Sequence, residues 1–244
     1  MKNKFPDSAA DSLALPQSES DRAQLAIHGG TPVRSSFLPF GQPCLGDEEI
    51  QEVVATLRSG WIGTGPRTQL FEQQFAKYVG ADHAIAVNSC TAGLFLSLVA
   101  LGIGPGDEVI TTALTFAATA NVVEHVGAKL VLADIDSETL TINPELVERA
   151  VTPQTRAIIP VHFGGHACRM DELQAIAEKH KLAIVEDAAH AVGTRYEGRN
   201  AGTLGQLGAF SFYANKNLTT GEGGMITTNG NALAEKIRVL RLHG

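Results

Sequence analysis

An α/β domain built on a mostly parallel sheet is what this sequence predicts, and three observations predict it. From residue 83 onward, short apolar runs alternate with helical stretches. The runs are continuously apolar, as in HAIAV and LAIVED, rather than alternating with polar residues, which is the pattern of strands covered by helices on both faces. Small, hydroxyl-bearing or acidic residues gather where several of those runs end, and open α/β sheets hold their ligands beyond the carboxyl ends of their strands.

Residues 1–27 read as a flexible tail, rich in Ser, Asp, Ala and Pro with no apolar period, and residues 28–244 as one domain with a helical segment at 46–80. Asp47 is a good N-cap for a helix with Ile50, Val53, Val54 and Leu57 on one face, ending at Gly60. A second helix in TQLFEQQFAKYVG carries Leu70, Phe71, Phe75 and Tyr78 as its stripe. Strands are expected at 83–87, 107–111, 129–135, 156–162 and 182–187, and helices at 91–103, 117–127, 144–151 and 170–180. After Asp187 the alternation breaks; short strands follow near 208–213 and 223–228, then a last helix near Asn231.

The 244 residues suffice for a substantial core, and 44% apolar with 18% charged residues is an ordinary globular balance. A net charge of −7, without any run of Lys or Arg, excludes a nucleic-acid surface. No apolar stretch approaches the ~18 residues of a membrane span, and the first residues lack the apolar core of a signal peptide. Cys44, Cys90 and Cys168 are far apart and form no C-x-x-C pair, so neither a metal site nor a disulfide framework is indicated, and a cytoplasmic location is expected.

GIGPGD (102–107) follows a helix and has the spacing G-x-G-x-G, so it is a helix end and turn, not a dinucleotide loop. A Walker A loop and a G-x-S-x-G elbow are both absent from the sequence. NSCTAG (88–93) lies between a strand and a helix, where open N–H groups and the hydroxyls of Ser89 and Thr91 either cap the helix or bind phosphate. LAIVEDAAH ends a strand in Glu186 and Asp187, with His190 three residues on; an acid there is either a cap or a crevice carboxylate. Phe116, in TFAATAN, is either core or a cover for a ligand ring. Lys216 follows the apolar run FSFY (210–213) by three residues and Ser211 by five, and is either a solvated lysine or a nucleophile for a carbonyl. Taken together, a phosphate cradle, a stacking aromatic, a carboxylate for a pyridinium nitrogen and a lysine for an aldehyde are the inventory for pyridoxal 5′-phosphate.

The run EDAAHAVGTRYEGRNAGTLGQLGAFSFYANKNLTTGEGGMITTN resembles the DegT/DnrJ/StrS sugar aminotransferases, which are fold-type I pyridoxal phosphate enzymes. SGWIGTGPRTQLFEQQFA, GIGPGDEVITTALTFAATANVV and TRAIIPVHFGGHACRMDEL carry the same resemblance, which spans roughly residues 28–244. It implies that Lys216 is the Schiff-base lysine and proton carrier, Asp187 the partner of the pyridine nitrogen, and His190 the partner of the ring hydroxyl. It also implies that Phe116 stacks on the ring, that Ser211, Cys90 and Thr91 bind the phosphate, and that Thr64 lies on the substrate side. Cys90 stands where relatives commonly carry a smaller residue, so the contact there is expected through the backbone.

The implied reaction moves an amino group from glutamate or glutamine to a nucleotide-linked keto-sugar, in a cytoplasmic homodimer with shared active sites. SFLPFGQP and EDAAHA are similar to the subgroup that aminates a UDP-4-keto-pentose. Relatives are commonly longer, so a C-terminal small domain is expected to be missing here. The competing readings are a pyridoxal phosphate-binding fragment without turnover and a sugar dehydratase on the same cofactor. Dehydratases of this kind carry His where Lys216 stands. A nucleotide-sugar oxidoreductase would need the glycine fingerprint that is missing.

Overall fold

The computed structural model describes residues 25–39 and 41–243, and the first 24 residues of the expected tail lie outside them. The chain divides into two units, Met1–Phe40 and Gly41–Gly244. In the first, Ala26–His28 form a single 3-10 turn closed by Gly29. All that follows concerns the second.

Two helices open it, α1 (Asp47–Arg58) and α2 (Pro66–Val79). Then come β1 (His83–Val87), α3 (Cys90–Leu101), β2 (Glu108–Thr112), α4 (Ala117–His125) and β3 (Lys129–Ala133). They are followed by α5 (Pro144–Ala150), β4 (Thr155–Ile158), α6 (Met170–His180) and β5 (Ala183–Asp187). A two-strand ribbon, β6 (Arg195–Tyr196) with β7 (Arg199–Asn200), precedes β8 (Leu207–Ser211), β9 (Gly224–Thr228) and α7 (Asn231–Leu240).

The main sheet has seven strands in the order β1-β9-β8-β5-β4-β2-β3. The β3–β2, β2–β4, β4–β5 and β5–β8 pairs are parallel, and β9 alone runs against its neighbours β8 and β1. The period of two along each strand then builds two cores. Ile85, Val109, Val185, Ala209 and Ile226 face a layer formed by α3, α4 and α7. Their neighbours in sequence face the other way: Ile110, Ile158 and Ile184 toward α5 and α6, and Ala84, Phe210 and Met225 toward α2. This two-sided burial is why the strands read as unbroken apolar runs. Each fully buried Ile, Leu or Phe contributes roughly 1.5–3 kcal/mol of transfer free energy.

Element ends follow local chemistry. Ser89 caps α3 by accepting the Ala92 N–H (3.1 Å), Asn143 caps α5 in the same manner, and Pro occupies the first turn of α2 and of α5. Three expectations need correction. Asp47 is the first residue of α1 rather than its cap; Gly46 takes the cap position because Glu49 reaches back to its N–H (2.6 Å). On α2 the buried face is Glu72, Phe75, Ala76 and Val79, while Leu70 and Tyr78 are exposed. Phe75 there packs edge-on against Phe210 and Phe212, and Glu72 is buried because it accepts the Ala86 N–H and pairs with Arg241. Finally, the ribbon β6–β7 was not expected, being too short for any period to show.

Candidate functional site

The carboxyl ends of β1, β2, β4, β5 and β8 deliver five loops to one edge of the sheet. Asp187 closes β5 with the parity of Val185, so it points toward the layer of α3 and α4, whereas Glu186 points to the opposite face. Asp187 is 5% exposed. Its Oδ2 accepts the Thr119 hydroxyl at 2.7 Å, and its Oδ1 accepts the Ala189 N–H at 3.1 Å and faces the Cys90 thiol at 3.9 Å. Thr119 sits one turn into α4, whose cap position is Phe116. Phe116 itself is 80% exposed, with its ring open to solvent.

At α3, Cys90 and Thr91 fill the first turn. Ser89 occupies the Ala92 and Gly93 amides, which leaves the Cys90 and Thr91 N–H groups without an acceptor among the described residues. The Cys90 side chain is buried and turned inward, its Sγ 3.4 Å from the Ala209 carbonyl oxygen. Burial, then the Asp187 charge, hold its pKa well above the ordinary thiol value, so it is a protonated thiol and not a nucleophile. Gly224 of β9 lies flat against this turn: a Cβ there would stand 2.6 Å from the Ser89 carbonyl carbon and 2.7 Å from the Cys90 nitrogen. Ser211 ends β8 on the same side as Asp187, whose own register partner is Ala209. Its Oγ accepts the Tyr213 N–H at 3.4 Å, leaving the hydroxyl proton free to donate.

Lys216 is not on the strand but in the turn after it, with its N–H bonded to the Tyr213 carbonyl (3.0 Å). The turn is tied down by Asn217, which donates to the Val192 carbonyl (2.7 Å). Lys216 is half-buried and makes no salt bridge among the described residues. Its charge acts on both Cys90 and His190. His190 has its pKa lowered, by burial first and then by Lys216, with Asp187 opposing. Its Nδ1 accepts the Gly164 N–H (3.3 Å), which places the ring proton on Nε2, free to donate.

The structure thus gathers Cys90, Thr91, Asp187, His190, Ser211 and Lys216 along the carboxyl edge, with Phe116 at the head of the helix that braces Asp187. No hydrogen bond among the described residues joins Thr64 to them: it lies exposed in the loop before α2, its carbonyl accepting Trp61 Nε1–H at 3.1 Å. Sequence reading missed Thr119, although TFAATAN puts it one turn beyond Phe116. It also missed Gly224, because a close approach between distant backbones leaves no local mark. Among the described residues, no group of three His, Cys, Asp or Glu side chains could hold a metal ion.

Fold and site define a large domain of the kind that carries pyridoxal 5′-phosphate: unpaired helix-start amides for a phosphate, a buried carboxylate for a pyridinium, and a nearby lysine without an ion partner. The chain belongs to the DegT/DnrJ/EryC1/StrS aminotransferase family, whose profile matches residues 43–244. It is 61% identical over 211 residues to the spore coat polysaccharide biosynthesis protein SpsC of Bacillus subtilis, covering 86% of this chain and 54% of that protein. The PLP-form structure of Spr1654 of Streptococcus pneumoniae superposes with a TM-score of 0.82 at 39% identity, over 85% of this chain and 58% of that one. DesI, solved in the presence of its TDP-sugar product, superposes with a TM-score of 0.83 at 38% identity, over 89% and 56% of the two chains. The chain spans about half the length of the curated relatives it matches (54% and 55%).

Proposed function

We propose that this chain carries the cofactor-binding part of a pyridoxal phosphate-dependent aminotransferase acting on a nucleotide-linked keto-sugar, with glutamate or glutamine as donor. The observation that carries the reading is the convergence of Lys216, Asp187 and the unpaired Cys90 and Thr91 amides on one sheet edge. The relation to a spore coat polysaccharide biosynthesis protein supports a role in making the sugars of a surface polysaccharide, and the likeness to DesI, solved with its TDP-sugar product, supports a nucleotide-linked sugar as substrate.

When bound, the cofactor supplies an aldehyde that captures amines and a ring that accepts electrons. The residues do the rest. Lys216 would hold the cofactor through its aldehyde, and its Nζ is the base that would move a proton at the donor's Cα. Asp187, held by Thr119 and the Ala189 amide, keeps the ring nitrogen protonated. His190 donates from Nε2 to the ring hydroxyl. The Cys90 and Thr91 amides and the Ser211 hydroxyl would hold the phosphate at the positive end of α3, and Phe116 would cover the ring. Thr64 is assigned to the sugar side. A cytoplasmic homodimer with shared sites goes with this reading; no helix among the described residues is long and apolar enough to cross a membrane.

Half-transamination is the test. The chain loaded with pyridoxal phosphate and given glutamate should lose its visible band and release 2-oxoglutarate. Because the chain spans only about half of its relatives, a second reading is a binding fragment, and it predicts a visible band that glutamate leaves unchanged. Absence of any band with added cofactor would refute both. Dehydration is disfavoured by Lys216 itself, since dehydratases that resemble this chain carry His there.

A further inference from the structure

Glu186 sits beside Asp187 but on the other face of the sheet, and it is fully buried. Its Oε1 accepts the Leu204 and Gly205 N–H groups at 2.6 Å each, and its Oε2 accepts the Gly202 N–H at 2.6 Å. The fourth partner is His162 Nε2 at 2.9 Å, on a ring that is likewise fully buried. Nδ1 of that ring accepts the Cys168 N–H at 3.1 Å. Burial, the largest influence on the His162 ring, disfavours a charge on it. The geometry decides the tautomer: a second ring proton on Nδ1 would face the Cys168 donor, so we assign a neutral ring that donates from Nε2. All four partners of Glu186 are then donors, the pattern of a carboxylate.

This pair ties together three segments: the β5 end that carries Asp187, a strap that holds His190, and a loop that leads to Ser211. The His162 N–H bonds the Asp187 carbonyl (3.1 Å), and the Asp187 N–H bonds the Pro160 carbonyl (2.9 Å). The strap from Val161 to Cys168, closed on itself by the His162 ring, presents the Gly164 N–H that holds His190. The 202–205 loop leads into β8 and Ser211. Gly202 has φ +83, and a Cβ there would strike the Phe210 ring at 2.2 Å, so the loop can meet Glu186 only with its bare backbone.

We propose that His162 and Glu186 are positioning residues: without touching the cofactor, they set the Asp187 carboxylate and the His190 imidazole against the cofactor ring. The inference rests on the reading of Lys216, Asp187 and His190 given above. Around metal sites, hydrogen bonds one layer behind the ligands carry effects of about 10- to 100-fold, and the same scale is expected for partners that hold Asp187 and His190.

The test compares the 244-residue chain with His162→Leu, His162→Asn, His162→Gln and Lys216→Ala. The readouts are thermal unfolding, pyridoxal phosphate affinity, and the pH at which the bound cofactor's visible band titrates. Leu removes both ring contacts. Asn retains an acceptor near Cys168 but falls short of Glu186, and Gln retains a donor that reaches it. Leu and Asn should weaken cofactor affinity by about tenfold or more and shift the titration of the band, with Gln close to wild type. Folded Leu and Asn variants with wild-type affinity and titration would overturn the inference. So would a failure of all three to fold, which would assign the pair to folding alone. If the wild-type chain shows no band, or Lys216→Ala keeps it, the underlying reading fails and this inference with it.

Discussion

Gly224→Ala probes the contact on which the phosphate cradle rests. The new Cβ would stand 2.6 Å from the Ser89 carbonyl carbon, 2.7 Å from the Cys90 nitrogen and 2.8 Å from the Phe210 carbonyl oxygen. All three are backbone atoms, so no rotamer change relieves the overlap, and the start of α3 must retreat from β9 by several tenths of an ångström. Overpacking costs about 1–3 kcal/mol, and the lack of any flexible neighbour places this case at about 3. Alanine restricts the unfolded chain more than glycine and returns about 0.4–1 kcal/mol, leaving about 2 kcal/mol. For a chain of this size each kcal/mol moves Tm by about 2–4 °C, so unfolding of the cofactor-free variant should fall by about 4–8 °C. Since the Cys90 and Thr91 amides move with the helix start, pyridoxal phosphate affinity should fall as well. Gly104→Ala is the control: its Cβ meets nothing nearer than the Val126 carbonyl at 3.6 Å, and its Tm should stay within about 2 °C. Thermal scans and cofactor titration on both variants decide. If Gly224→Ala melts and binds like wild type, the account of the cradle is wrong.

Three further outcomes follow from the same geometry. Asp187→Asn keeps the size and the Thr119 bond but cannot hold a pyridinium proton; loss of a charged hydrogen bond worth about 1.5–3 kcal/mol should weaken pyridoxal phosphate binding by about 10- to 100-fold in an equilibrium titration, and an unchanged affinity would contradict the role. Thr119→Val removes the donor to a buried carboxylate and should cost about 1–3 kcal/mol in urea unfolding, with an unaltered midpoint counting against it. His190 has a folded pKa below its unfolded value, so below the ordinary 6.5 the unfolded chain binds the extra proton and stability is lost as pH falls; His190→Gln should flatten that acid loss in urea midpoints measured between about pH 7.5 and 5, whereas parallel curves would remove the assignment.

The fold was legible because its strands are buried on both faces. HAIAV and LAIVED carry no polar interruption, and the loops between them are short and rich in turn formers. Ends were less legible wherever a cap is set by a side chain reaching back, as Glu49 does to Gly46. The face of α2 was misread because its burial is decided by the aromatic cluster of Phe75, Phe210 and Phe212, contacts made across more than a hundred residues. In the site, Lys216, Asp187 and His190 could be named because their residue types are chemically telling. Thr119, Gly224 and His162 could not, since a hydroxyl, a glycine and a loop histidine become informative only once the sheet brings them beside Asp187, Ser89 and Glu186. Thr64 was named through resemblance alone, and no hydrogen bond among the described residues ties it to the rest.

Lys216 is the proposed covalent anchor of the cofactor. Reconstitution of the chain with pyridoxal phosphate, reduction with borohydride, proteolysis and mass spectrometry would locate the attachment. The prediction is a phosphopyridoxyl group on the peptide containing Lys216, lost in Lys216→Ala. A group fixed on another lysine, or none on a folded chain that has taken up the cofactor, would contradict it.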